Sequence, residues 1–409
     1  MKYKHKKHRA NAENLRKIQQ VIESDNPDLL KLLNFHETAI IHEDELFPES
    51  DPLASQKNWY IPICNKEEVN RIFNPQNASD YLLKLRADAL FESYRLQRVI
   101  MARKNKLGEK WVFSEHFSMK EVNHYIENLS EDDRKKIESV PIGYIFTFET
   151  NGLCIKTEYG NIITVSESMK YFLYFMNLFF FDFDIDVPDD VRFSSLLIAL
   201  RTMLETESTD FELDPRGEVP DDIHLECQRQ TEKQIEFIFG HEIAHHLLNH
   251  LENGDTVAFS LYTNKEHTGE SHTVYNFRQL QEFEADIEAI NRPIFKYEQD
   301  LDYLVQSAIL FFAYIDIFEA VENYLNPPMN SFKTHPDPIE RLWRLYNSTC
   351  EKITLFSRED VERIVEKCRS IKETIITAHL PYNVETYEFY GSVYLGQWRG
   401  KELIDRVDY

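Results

Sequence analysis

Two histidines with a glutamate between them, in His241-Glu242-Ile243-Ala244-His245, are the residues of this chain best suited to chemistry. On a helix, positions four apart share a face, so both imidazoles can be offered to one zinc ion. Glu242 stands about 100° round the same helix, within reach of a water bound to that ion. The chemistry this supports is metal-dependent hydrolysis, with two ligands and a base supplied by one turn of helix.

A third ligand must come from elsewhere. Were it His250, the pattern would need Gly three residues and His six residues after His245. Leu248 and Leu251 stand there instead, and an H-x-x-E-H run is also absent. Glu282 is the better candidate, in Glu282-Phe283-Glu284-Ala285-Asp286. Glu282 and Asp286 share a helix face, so the first can coordinate zinc while the second bonds a ligand histidine's other nitrogen and fixes its tautomer. Two His and one Glu leave the fourth position to water, as catalytic zinc sites require, whereas a structural site uses four protein ligands. Glu284, about 200° away on the same helix, is expected in solvent. His246 and His250 are expected at the surface or behind the ligands.

Further on, Thr334-His335-Pro336-Asp337-Pro338 leads into Arg341. A His before Pro is commonly a turn residue, but one that follows the zinc-binding elements can also donate to the oxyanion formed when water attacks a carbonyl. Arg341 can bind substrate or a carboxylate of the scaffold.

The elements that must position these groups are legible in outline. Apolar residues at helical spacing predict a helical region up to about residue 140, interrupted by a Pro- and acid-containing stretch at 43–55. Runs rich in β-formers at 143–165, separated by Asn151-Gly152 and Gly160-Asn161, predict a three-stranded antiparallel meander. Ser166 or Ser168 then caps an aromatic helix through Phe181, and another helix covers 191–204. The acidic, Pro-containing segment 205–226 reads as a surface loop. Asp221 or Asp222 is expected to cap the motif helix, which should run to about Leu251 and stop at Asn253-Gly254. Its Ile243, Leu247 and Leu251 would pack on the sheet, opposite His241 and His245. A polar loop, 252–272, precedes a helix carrying QEFEAD from near Asn276. The strongly apolar helix 303–325 is expected at the buried centre, and the Tyr-rich tail from Ala378 is expected to add short strands.

Composition bounds the alternatives. A formal net charge of -24 over 409 residues argues against nucleic-acid binding, which needs concentrated Lys and Arg; the basic stretch 1–17 reads as a solvated end. The five cysteines are dispersed without a C-x-x-C pair, which supports neither a disulfide framework nor a thiolate zinc site and suits a reducing cytoplasm. The charged N-terminus lacks a secretory signal. The longest apolar run, 171–181, falls well short of the ~20 residues a membrane span needs, so no membrane partner is expected.

The order HEIAHH, EFEAD, then THP with Arg five residues later resembles gluzincin metallopeptidases, specifically the soluble relatives of the CAAX prenyl protease and HtpX kind. Within that circle, ITVSESMKYFLYFMNLFFF, FIFGHEIAHHLLNHL, QEFEADIEAI and THPDPIERL are similar in order to the Lit-like phage-exclusion proteases, over about residues 144–346. The resemblance implies a Zn2+ endopeptidase with His241, His245 and Glu282 as ligands and Glu242 as base. It also implies a role in phage defence through cleavage of a host translation factor, elongation factor Tu. The long N-terminal region and the loop 252–278 depart from that pattern.

The expected fold is α+β: a mostly helical, gluzincin-like core with a small antiparallel sheet and an H-E-x-x-H helix, plus a helical N-terminal domain. Expected divisions are 1–140 (accessory), 141–350 (peptidase core) and 351–409 (helix and tail). A sheet edge is expected to bind an extended peptide by strand addition. The other classes to weigh are a metal-stabilised interaction module or inactive peptidase, signalled by a fourth protein ligand such as His246 or His335, and a metallo-aminopeptidase, which would need an acidic patch for a free amine.

Overall fold

The computed structural model describes residues 41, 43–91, 93–250, 258–260, 272–327 and 336–400. They fall into two compact units: one of residues up to Asn70 with Gln97–Phe113, the other of Arg71–Leu96 with everything from Ser114 onward. In the first, the Trp111 indole donates to the Ile63 carbonyl at 2.7 Å and Lys104 to that of Pro62 at 2.9 Å. Asn65 and Glu68 cap each other reciprocally at the start of a helix, through bonds of 2.9 and 3.1 Å.

The second unit carries the site and includes part of the N-terminal region. Three of its helices come from that region: α1 (Ala78–Phe91), α2 (Lys120–Glu127) and α3 (Glu131–Ile137). The strands follow as β1 (Ile142–Ile145), β2 (Gly152–Thr157) and β3 (Gly160–Ser166). Next come α4 (Glu167–Phe180), α5 (Asp189–Met203) and the motif helix α6 (Asp221–Leu247). A short β4 (Ala258–Ser260) precedes α7 (His272–Asn291), α8 (Glu298–Leu325), α9 (Pro338–Thr349) and α10 (Arg358–Thr374).

The sheet is mixed and not a meander. Its order is β1-β3-β2-β4, with β3 parallel to β1 and antiparallel to β2. The reason lies in β3, where Ile162, Ile163, Thr164, Val165 and Ser166 are all buried. A strand buried on both faces belongs in the interior of a sheet, so β1 pairs beside β3 and the chain crosses over to β2. Glu158-Tyr159 makes the β2–β3 turn, with Gly160 at φ +122. The outer edge of β2 is also not free, because Leu153–Ile155 pairs with β4.

Helix α6 begins after Pro220, with Asp221 and Asp222 in its first turn and no side-chain cap. It ends at Leu247, earlier than expected, because Asn249 adopts a left-handed φ of 56°, which Asn tolerates at a helix end. Asn177 of α4 fixes how α6 lies. Its amide donates to Gln234 and Thr231 at 2.9 and 3.1 Å, and its carbonyl accepts from Tyr314 of α8 at 2.9 Å. Helix α8 is long and apolar enough to cross a membrane by length and composition, but 83% of its most apolar window is buried within the fold, as the centre of a helical core.

The acidic segment after α5 is only partly a surface loop: Glu207, Asp210, Asp214 and Arg216 are buried, while Glu205, Glu212 and Glu218 are exposed. Arg216, fully buried, pairs with Glu207 at 3.0 Å, Asp210 at 3.1 Å and Asp214 at 3.2 Å, and Arg201 pairs with Glu207 at 2.9 Å. Buried charges persist when opposite charges and hydrogen bonds compensate them. Among the described residues, the tail from Ala378 to Gly400 completes this cluster and forms no strand beyond an isolated bridge. The Val393 amide donates to Glu207 at 3.1 Å, and Gly391 makes an isolated bridge with Glu207.

Candidate metal centre

His241 and His245 project from the last turns of α6, and Glu282 meets them from α7. The three ligand atoms lie within 4.8 Å of one another and all three residues are buried. His245 Nε2 is 3.0 Å from His241 Nε2 and 3.4 Å from Glu282 Oε1, and His241 Nε2 is 3.5 Å from Glu282 Oε2. Tetrahedral zinc, with bonds of about 2.0–2.1 Å, sets its ligand atoms roughly 3.3 Å apart. The spacing therefore suits a zinc ion held equally by two imidazoles and a carboxylate.

Glu242 is fully buried beside this cluster, and neither of its carboxylate oxygens finds a well-aligned hydrogen-bond partner among the described residues. A buried carboxylate without partners is costly, so the site needs a further polar species between Glu242 and the ligands. Burial pushes the Glu242 carboxyl up to about 8, with the nearby Glu282 adding to the rise. Burial opposes charge on His241, but Asp286 and Glu282 outweigh it and hold the imidazole up to about 9. Protein alone thus draws a positive charge into this spot, where zinc would supply one without a proton.

Behind the ligands the supports differ. His241 Nδ1 lies 2.9 Å from Asp286 Oδ1. Arg341 of α9 grips the same carboxylate through both oxygens, Nε to Oδ2 at 2.8 Å and Nη2 to Oδ1 at 2.6 Å. Burial raises the Asp286 carboxyl, yet Arg341 and His241 bring it below the usual carboxylate range. The guanidinium stacks 4.7 Å over Phe312 and is itself buried. Arg341 thus takes the scaffold position of its two alternatives, with its fork on Asp286.

His245 Nδ1 meets His250 Nδ1 at 2.8 Å, and His250 Nε2 lies 3.3 Å from Glu284 Oε2. Glu284 is mostly exposed, as expected, but His250 is buried and has an acid partner. His246 turns elsewhere, its Nδ1 2.9 Å from Asn161 Nδ2, so it is no fourth ligand. His335 lies outside the described residues.

Two glycines shape the surroundings without a signature in the sequence. A Cβ on Gly152, the first residue of β2, would come within 3.0 Å of Glu242 Oε1 and 3.1 Å of Ile238. A Cβ on Gly240 would meet the Tyr125 ring at 2.5 Å. Tyr125, from α2, also donates to the Ala289 carbonyl of α7 at 3.0 Å, so one buried ring links the two ligand-bearing helices.

The His241-Glu242-x-x-His245…Glu282 arrangement matches a gluzincin-type zinc-protease active site and is typical of a zinc-dependent hydrolase. No protein-family model, curated protein or solved structure matches the chain.

Proposed function

We propose that this protein is a zinc-dependent endopeptidase that hydrolyses a peptide bond in a protein or peptide substrate. One observation carries the reading: a three-ligand set, His241, His245 and Glu282, stands beside a buried carboxylate, Glu242, whose oxygens find no well-aligned hydrogen-bond partner among the described residues. Zinc held there supplies a Lewis acid for the scissile carbonyl and makes water ionisable near neutral pH. Glu242 takes a proton from the attacking water and returns it to the amine nitrogen as the C–N bond breaks. Asp286 keeps the His241 proton on Nδ1, leaving Nε2 free to coordinate, and Arg341 holds Asp286 in place. Gly152 lets the Glu242 side chain lie against β2, because a Cβ there would meet the carboxylate at 3.0 Å.

The segment order similar to that of phage-exclusion proteases supports a cytoplasmic role in antiviral defence, with a host translation factor as substrate. The test compares new protein N-termini in cells expressing the wild type and Glu242→Gln. Cleavages present only with the wild type are expected. Identical sets of N-termini would favour a metal-stabilised interaction module.

A further inference from the structure

Zinc bonded to Nε2 of His245 fixes every proton behind it. With Nε2 turned toward His241 and Glu282, the ring's one hydrogen sits on Nδ1 and points at His250 Nδ1, 2.8 Å away. Two nitrogens at that distance share a single proton, so His250 must accept at Nδ1 and carry its own hydrogen on Nε2. That hydrogen points at Glu284 Oε2, 3.3 Å off. No other pair of tautomers satisfies both contacts while leaving Nε2 of His245 to a metal.

We infer that His250 is a positioning residue for the zinc ligand His245, completing a His–His–Glu chain that runs from the metal to a solvent-exposed carboxylate. The inference rests on the zinc reading above. The local backbone supports it: the helix stops at Leu247, Asn249 takes a left-handed φ of 56°, and the His250 amide bonds back to the His245 carbonyl at 3.1 Å. That turn folds the His250 ring under His245 instead of carrying it on round the helix. The burial of His250, at 6% exposure, leaves its Nδ1 no solvent to substitute for the contact.

The test uses the full chain, stripped of metal and reloaded. Zinc affinity is read by competition with a chromophoric chelator, and coordination by the visible absorption of the Co2+ form. His250→Ala is expected to weaken zinc binding about 10- to 100-fold, the usual effect of removing a ligand's hydrogen-bond partner, and to alter the Co2+ spectrum. His250→Asn, whose Oδ1 falls where Nδ1 was, is expected to recover affinity to within about threefold of wild type. His250→Leu fills the space without an acceptor and should behave as alanine does, which serves if the alanine variant folds poorly. Glu284→Gln should cost only about two- to threefold, because its end of the chain is in water.

Equal zinc affinity for wild type, His250→Leu and His250→Ala would overturn the inference, as would equal losses in His250→Asn and His250→Leu. A wild type that binds no zinc would instead bring down the zinc reading, and this inference with it.

Discussion

The two ligand histidines sit one turn apart on the same helix and rest on opposite kinds of support. Behind His241 stands a buried carboxylate, Asp286, clamped by a buried guanidinium at 2.6 and 2.8 Å. Behind His245 stands a neutral imidazole, His250, backed at 3.3 Å by a carboxylate that is 58% exposed. A carboxylate partner makes an imidazole a stronger ligand than a neutral partner does. A buried ion pair also tolerates the loss of one member poorly, whereas an exposed carboxylate can be replaced by water. One leg of the site is therefore a rigid part of the core, and the other is tied to the surface.

The largest expected effect isolates the base from both legs. Glu242→Gln should retain stoichiometric zinc while peptide hydrolysis falls about 10²- to 10⁴-fold, the range for loss of a general base. Metal analysis beside a peptide-cleavage assay checks this, and ordinary turnover in that variant would remove Glu242 from the mechanism.

Next comes the buried leg. Asp286→Ala takes from the buried Arg341 its two-point partner and leaves Glu282, 3.3 Å away, as its remaining ion pair among the described residues. The expected loss is about 3 kcal/mol of folding stability, measured by denaturant unfolding in the presence of a chelator so that zinc does not enter. Glu284→Ala, on the other leg, should stay within about 0.5 kcal/mol as a surface substitution. Equal losses would erase the contrast between the legs.

A third comparison uses two acids only two residues apart. Glu282→Ala should weaken zinc binding by more than about 100-fold, beyond the range for groups behind the ligands, while Glu284→Ala should cost only a few-fold. Similar values by chelator competition would mean that Glu282 is not a ligand.

These contrasts were unequally legible in the sequence. Spacing of three or four along a helix brings out His241 with His245 and Glu282 with Asp286, because one element presents both members. Contacts between distant elements leave no such trace. The partner of His250 is 34 residues away, and the reversal that brings the ring under His245 depends on the backbone of Asn249. Within the acidic stretch, Glu207, Asp210 and Asp214 are buried because Arg201, Arg216 and tail residues near Val393 meet them, pairings that no local pattern encodes. The order of strands likewise turned on the burial of β3 on both faces, which a short apolar run shows only ambiguously.

The helices before residue 140 read as an accessory domain for the same reason: amphipathic spacing reveals a face but not what covers it. In the fold, Tyr125 reaches from α2 to Gly240, the residue just ahead of His241, and bonds the backbone of α7 near Asp286. That gives the smallest of the expected effects. Gly240→Ala would place a methyl 2.5 Å from the Tyr125 ring, and because the ring is buried and its hydroxyl is tied to Ala289, it has little room to withdraw. Overpacking of this kind costs about 1–3 kcal/mol, partly offset by about 1 kcal/mol because alanine favours the helix. A net loss of up to about 2 kcal/mol is expected. Since Tyr125 contacts the helix beside His241 and the backbone beyond Asp286, the loss should come with weaker zinc binding through the buried leg. Combining Gly240→Ala with Tyr125→Leu, which removes most of the ring, should recover part of both. Recovery of stability without recovery of zinc affinity would show that Tyr125 packs the helices but does not set the distance between the ligands they carry.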